Sequence, residues 1–154
     1  MSPALTVWYE EWQMACCGND FALGGRVVWP VTRPSDFESG FSAPGMERET
    51  GTIDYLYDMH FDRWEEIYTL TGVIQRIQGV YFYFEPDPEH PHLLRRTSGF
   101  LTEMTDCDYW TRERELPKRR RNSRKPRPRF DAYLLRIVPE EIRPARESDR
   151  DLFT

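Results

Sequence analysis

Apolar and polar positions alternate along much of this chain, and β-branched or aromatic residues occupy many of the apolar positions. A period of two is typical of strands with one buried face. The pattern predicts strands at residues 5–12, 27–31, 71–85, 98–106 and 130–138. Gly72 and Gly79 interrupt the strongest of these runs, and glycine inside a strand indicates a bulge or sharp bend.

Helical spacing competes with alternation only at residues 61–70, where the sequence FDRWEEIYTL fits either a short helix or an extended piece.

Short strands, turn residues and bend-making glycines predict an all-β fold that is mainly antiparallel. We expect a small SH3-like or OB-like barrel with long loops and at most one short helix. An α/β layer fold would need helices between the strands, and the pattern does not provide them.

The chain has 154 residues, of which 39% are hydrophobic and 14% aromatic, enough for one core. We expect a single β-barrel-like domain over residues 1–140, with loop insertions at 32–52 and 112–129. A polar tail is expected at residues 141–154.

The sequence also predicts a cytoplasmic protein with no membrane segment. No apolar run approaches the roughly 20 residues that span a bilayer, and the N-terminus lacks the basic and apolar regions of a signal peptide. The chain has three cysteines, two of them adjacent, which is unlike the disulfide framework of a small secreted domain.

Charge is distributed unevenly along the chain. Residues 112–129 contain ten Arg or Lys and two Glu, a local charge of +8. The other residues carry a charge of −13, which gives the net charge of −5. Three prolines oppose a helix there and favour an extended arm. Such an arm is suited to an anionic partner, either nucleic acid or an acidic protein. The candidate contact residues are Lys118, Arg119, Arg120, Arg121, Arg124, Lys125, Arg127 and Arg129.

Cys16 and Cys17 are the most conspicuous candidates for chemistry. A disulfide between neighbours requires a strained ring and is not expected. Zinc could be held if Cys16 and Cys17 met His60 and Cys107, but nothing in the sequence enforces that meeting. A nucleophilic thiol needs a depressed pKa, and no basic neighbour is near in sequence. Packing as a small apolar group is the favoured interpretation.

His60 lies between Asp58 and Asp62 at a spacing of two. On a strand the three side chains would share a face that could hold a metal or raise the basicity of the imidazole. A solvated acidic face is the favoured interpretation, and His90 and His92 are expected on the surface. The sequence contains no nucleophile elbow, phosphate-binding glycine loop or His-Glu-x-x-His motif, so we assign no catalytic residue.

The pattern WQMxCCGxxF at residues 12–21, followed by Gly24, Val27 and Trp29, resembles the opening of a family of uncharacterised actinobacterial proteins, a domain of unknown function. Further blocks similar to that family are the acidic and aromatic stretch with His60 and residues 71–80, 99–110 and 130–137. The chain differs from it in a longer loop at 37–48 and a denser basic segment. The resemblance implies a fold grouping and no activity.

The sequence supports two functional hypotheses. The leading hypothesis is a non-enzymatic binding module that engages an anionic partner through its basic arm. The alternative is a metal- or thiol-dependent enzyme centred on Cys16, Cys17 and His60, with zinc as the metal to be considered.

Overall fold

The computed structural model describes residues 3–34, 51–108 and 128–153. This part of the chain forms six strands, one α-helix and two short 3-10 helices. The elements are β1 (Leu5–Glu10), α1 (Glu11–Cys17), β2 (Arg26–Thr32), β3 (Tyr55–Tyr57), a 3-10 helix (Trp64–Glu66), β4 (Tyr68–Pro86), β5 (Leu94–Met104), β6 (Arg129–Pro144) and a second 3-10 helix (Glu147–Leu152). Among these helices, none has both the length and the apolar character needed to cross a bilayer.

The strands form one sheet in the order β2-β3-β1-β6-β4-β5, and β2 also pairs with β4. Five strands therefore form a closed ring, and β5 pairs with the part of β4 that extends beyond β2. Every pairing is antiparallel except the one between β1 and β3. The predicted all-β, mainly antiparallel fold is confirmed, whereas the choice between SH3-like and OB-like strand order stays a prediction.

Aromatic side chains fill the interior of the ring. The ring of Tyr9 stacks on that of Tyr57 with their centroids 3.8 Å apart, and Trp29 meets Tyr9 edge-on at 5.3 Å. Phe21 and Tyr133 pack against the same tyrosine. All five side chains are buried, so the aromatic content of the sequence serves mainly the core.

Bulges bend the long strand β4. Its register against β6 shifts at three places, one of them between Thr71 and Gly72. A Cβ atom at Gly72 would lie 2.6 Å from the carbonyl oxygen of Val138, so only glycine permits this close approach. The bend expected at Gly72 is confirmed. At Gly79 there is no room for a larger side chain, since a Cβ atom there would lie 2.8 Å from Met104 Sδ.

Several predicted boundaries were wrong. The first strand ends at Glu10 instead of residue 12, and the following residues form α1. Strand β5 begins at Leu94 instead of residue 98, and β6 continues to Pro144, past both residue 138 and the expected domain limit at residue 140. The ambiguous stretch at 61–70 contains one 3-10 turn before β4 begins. The expected insertions at 32–52 and 112–129 lie largely outside the described residues.

The C-terminal 3-10 helix is fixed to the sheet by one buried carboxylate. Asp149 is 3% exposed. It receives hydrogen bonds from the guanidinium of Arg143, the hydroxyl of Thr69 on β4 and the backbone N–H of Arg146. Residues 141–153 are therefore packed onto the sheet, although their polar sequence predicts a tail.

Candidate functional site

Helix α1 is held against the end of β3 by the side chain of Gln13. Its amide nitrogen donates to the carbonyl oxygen of Tyr57 at 3.0 Å, and its amide oxygen accepts the backbone N–H of Met59 at 2.9 Å. Gln13 is 5% exposed, and a buried amide is tolerated because both ends are bonded. This double contact fixes the helix next to His60.

The same helix closes tightly over the core at its C-terminal end. The hydroxyl of Tyr9 donates to Met14 Sδ at 3.6 Å. Gly18 ends the helix, and its N–H donates to the Met14 carbonyl oxygen at 3.3 Å. A Cβ atom at Gly18 would lie 2.2 Å from the Tyr9 hydroxyl oxygen, so this position has room for glycine alone.

Cys16 and His60 lie close together, as the metal hypothesis requires of them. Cys16 Sγ is 3.5 Å from His60 Nε2, and the imidazole also packs against the Trp12 ring at 5.0 Å between centroids. Trp12 and Cys16 are four residues apart and so share one face of α1. Cys16 is disulfide-bonded, so its sulfur is neither a thiolate ligand nor a nucleophile in this structure. A disulfide at Cys16, which the sequence argued against, is present instead of the free packed thiol that the sequence predicts there.

The acidic neighbours of His60 do not share a strand face with it. Strand β3 ends at Tyr57, and residues 58–63 follow in bends and irregular structure. The Asp58 carboxylate accepts the backbone N–H of His60 at 2.9 Å, which closes a local turn of the kind that aspartate favours. The common face expected for Asp58, His60 and Asp62 is therefore absent.

Cys107 belongs to a different environment. Its thiol is free and lies 3.7 Å from Asp20 Oδ1, while its backbone N–H donates to the Phe21 carbonyl oxygen. Burial raises the pKa of this thiol, and the nearby Asp20 carboxylate raises it further. Within residues 3–34, 51–108 and 128–153, no group of three or more His, Cys, Asp or Glu side chains could hold a metal ion. The side chain of Cys17 lies outside the described residues, so the zinc site stays a prediction.

Of the predicted basic contact residues, only Arg129 lies within the described part of the chain. It is the first residue of β6, opposite Phe82 of β4, and its guanidinium lies 5.7 Å from the centroid of the Phe84 ring. Arg96 of β5 lies over the Phe82 ring and bonds Asp131 at 2.8 Å. The basic segment thus rejoins the sheet where β4, β5 and β6 meet. Its other candidate residues, Lys118, Arg119, Arg120, Arg121, Arg124, Lys125 and Arg127, lie outside the described residues.

A cavity of about 570 Å³ lies between α1, residues 20–22, residues 106–108 and β6. Its described lining residues are Met14, Ala15, Asp20, Phe21, Ala22, Asp106, Cys107, Asp108 and Tyr133. An isolated bridge pairs Ala22 with Asp106 and brings the two loops together. The sequence shows these acids but not this pairing, because more than 80 residues separate the two loops.

A family of unknown function has a model that matches residues 3–137 of the chain. The chain belongs to this family, DUF6578. The region matched to DUF6578 includes α1, His60 and the cavity, and it ends before the C-terminal 3-10 helix. No curated protein and no solved structure matches the chain. The resemblance to a domain of unknown function is confirmed, whereas the actinobacterial origin and the cytoplasmic location stay predictions.

Proposed function

We propose that the chain is a non-enzymatic binding module that contacts nucleic acid through its basic segment, residues 112–129. Charge carries this proposal: the segment has a local charge of +8, whereas the rest of the chain has −13. Eight of its ten cationic residues are arginines, whose guanidinium groups bind phosphate oxygens in pairs. An extended cationic segment can follow a phosphate backbone and release its counterions.

The proposed contact is with phosphates, since the described residues of the body offer few exposed ring faces for stacking on bases. The largest aromatic side chains of the ring are buried in its core. Trp12 is 48% exposed, but its indole N–H donates to the carboxylate of Glu10, a charge that repels nucleic acid. Stacking platforms need exposed ring faces. We therefore expect binding that depends strongly on salt and weakly on base sequence.

The test is a fluorescence anisotropy titration of a labelled single-stranded oligonucleotide at several salt concentrations. The parent chain is compared with a triple variant that carries Arg119→Ala, Arg120→Ala and Arg121→Ala. Each lost phosphate contact lowers the salt slope by about 0.7 for a single strand. We expect the triple variant to bind more weakly and its slope to fall by about 2.

A matched control carries Arg63→Ala, Arg95→Ala and Arg136→Ala, three exposed cations outside the segment. It removes the same charge and should bind as the parent does. Equal loss in both triple variants, or no binding by the parent, overturns the proposal. Binding to poly-glutamate with none to the oligonucleotide assigns the segment to an acidic protein instead.

A metal- or thiol-dependent enzyme centred on Cys16, Cys17 and His60 is a second candidate, favoured by the 3.5 Å contact between Cys16 Sγ and His60 Nε2. Zinc sites use three or four protein ligands, so further ligands would have to join this pair after reduction of Cys16. Elemental analysis of reduced protein purified without chelator decides the matter. Stoichiometric zinc that is lost in His60→Ala supports this candidate, and a zinc-free protein with full oligonucleotide binding removes it.

A further inference from the structure

The disulfide at Cys16 does not lock distant parts of the fold together. The chain has three cysteines and Cys107 is free, so within one chain Cys17 is the available partner. A disulfide stabilises a protein mainly by closing a long loop, and a bond between neighbours closes only a small strained ring. The bond therefore contributes little as a structural link.

The same bond is open to attack from solvent. Cys16 lies in the last turn of α1, and it is exposed. Thiol–disulfide exchange begins when a thiolate reaches one sulfur of the bond, and exposed or strained disulfides are the labile, catalytic or regulatory ones. The position of Cys16 thus favours a bond that is broken and formed again over one that persists.

His60 places an imidazole beside the bonded sulfur. Its Nε2 atom lies 3.5 Å from Cys16 Sγ. An imidazole can give or take a proton near neutral pH, and a protonated imidazole beside a cysteine stabilises the thiolate. The pair therefore combines a sulfur that can leave with a group that can protonate it.

The helix that carries Cys16 makes such a group necessary. The carbonyl end of a helix has partial negative charge, which disfavours a thiolate in its last turn. The last turn of α1 contains no basic residue. His60, which follows β3, supplies from another element the proton donor that α1 lacks.

The fold holds His60 in place through several contacts. Its backbone N–H donates to the Asp58 carboxylate at 2.9 Å. The preceding backbone N–H donates to the buried side chain of Gln13 at 2.9 Å. The imidazole packs against the Trp12 ring, one helical turn before Cys16. The contact between sulfur and imidazole is thus set by the docking of α1 against the residues after β3.

We propose that the disulfide at Cys16 exchanges with a dithiol partner, and that His60 is the catalytic acid and base of this exchange. A thiolate of the dithiol attacks the other sulfur of the bond and forms a mixed disulfide. The electron pair of the broken bond goes to Cys16 Sγ, which takes the Nε2 proton of the protonated imidazole. The imidazole recovers a proton from solvent, to which the dithiol has released one.

The second thiol of the dithiol completes the exchange. It loses its proton and attacks its own sulfur in the mixed disulfide, which releases the second protein cysteine as a thiol. The dithiol leaves as a cyclic disulfide, and two electrons and two protons have passed to the protein. In the reverse direction neutral His60 deprotonates Cys16 for attack on an oxidised partner.

This inference rests on the thiol-dependent candidate for the same residues and adds the reaction and the class of its partner. It uses no metal and no residue of the basic segment. Exchange can therefore fail while the nucleic-acid contact holds, and the nucleic-acid contact can fail while exchange holds.

The test follows reduction of the full chain by dithiothreitol near neutral pH, without denaturant and with EDTA present so that zinc takes no part. Samples are quenched with iodoacetamide, and peptide-resolved mass spectrometry measures the label on the peptide that contains Cys16. We expect complete reduction by a small excess of dithiothreitol and re-formation of the bond with oxidised glutathione. A bond that is reduced only in urea, or that does not form again, overturns the proposal.

Variants assign the roles. His60→Ala should slow reduction at least about fivefold. His92→Ala removes an exposed imidazole from the connection between β4 and β5 and should not change the rate, and neither should Cys107→Ser. Equal rates in His60→Ala and the parent, or equal slowing in His60→Ala and His92→Ala, overturn the proposal. Core amide shifts that match those of the parent confirm that each variant is folded.

Discussion

Arg143 and Asp149 form a two-pronged ion pair that holds the C-terminal 3-10 helix onto the sheet. Nη1 and Nη2 of the arginine each donate to one carboxylate oxygen of Asp149, both at 2.6 Å. The Asp149 side chain is 4% exposed and that of Arg143 is 24% exposed. This geometry gives the strong, directional kind of charge-assisted hydrogen bond.

Asp149→Asn should therefore destabilise the fold. The substitution leaves the partly buried Arg143 guanidinium with only the exposed Glu141 carboxylate, 3.6 Å from its Nε, as an anionic partner, which costs about 2 to 3 kcal/mol of unfolding free energy. Urea denaturation near pH 7 measures the loss. Glu140→Gln breaks the more exposed pair with Arg26, whose side chains are 45% and 61% exposed, and should cost no more than about 1 kcal/mol. Equal losses of unfolding free energy in the two variants would show that burial of the Asp149 pair adds nothing to stability.

The same pair predicts how stability depends on pH. The Arg143 guanidinium holds the pKa of the Asp149 carboxyl well below its usual range. A carboxyl with a lowered folded-state pKa adds stability above its unfolded pKa of about 4, and this contribution is lost as pH falls through the folded pKa. The parent should lose unfolding free energy steeply below about pH 4, and Asp149→Asn should lose less over the same range. Parallel curves for the two proteins would contradict this assignment.

Sequence patterns predicted the sheet well because alternation reports directly on which side chains point inward. Val7 and Tyr9 share the face that lines the ring interior, whereas Trp8 between them is buried in a second apolar cluster on the opposite face. Helix α1 was missed because Trp12 continues the aromatic run of β1, and because seven residues are too few to show a helical period. The buried role of Asp149 depends on Arg143 and on Thr69, which is 80 residues away. Local sequence carries no signal for contacts of that separation.

Gly18→Ala should destabilise the protein through packing. Gly18 has a φ of −82°, which alanine adopts without strain, so the effect comes from the added Cβ atom near Tyr9 and Met14. Overfilling a fixed site of this kind costs about 1 to 3 kcal/mol. The loss should shrink in a Tyr9→Phe background, which removes the nearest oxygen, and a double-mutant cycle of unfolding free energies measures that coupling. A loss unchanged in that background would contradict the packing explanation.

Gln13→Met should loosen the contact between α1 and the residues after β3. The substitution keeps the side-chain length but leaves the Tyr57 carbonyl oxygen and the Met59 N–H without their partner, at a cost of about 1 to 3 kcal/mol. Amide hydrogen exchange resolves the effect by residue. The Met59 amide should exchange faster, while the Asp58 amide, bonded to the Pro30 carbonyl oxygen at 3.0 Å, should keep its protection. Equal acceleration of both amides would indicate a general loss of stability instead.

Cys107 should react slowly with iodoacetamide near neutral pH. Burial raises the pKa of its thiol, and the thiolate is the reactive form, so its labelling rate should keep rising with pH beyond about 8.5, where an unperturbed cysteine levels off. Peptide-resolved mass spectrometry separates this thiol from the other cysteines.

The Asp20 carboxylate accepts a hydrogen bond from the Cys107 thiol and raises its pKa. Asp20→Asn removes this carboxylate, so the labelling of Cys107 should become faster at a fixed pH. The control Asp151→Asn should leave the labelling rate unchanged. A Cys107 that labels as fast as a free cysteine in the parent would show that the thiol is not shielded as the structure indicates. It would also restore this residue as a candidate for thiol chemistry.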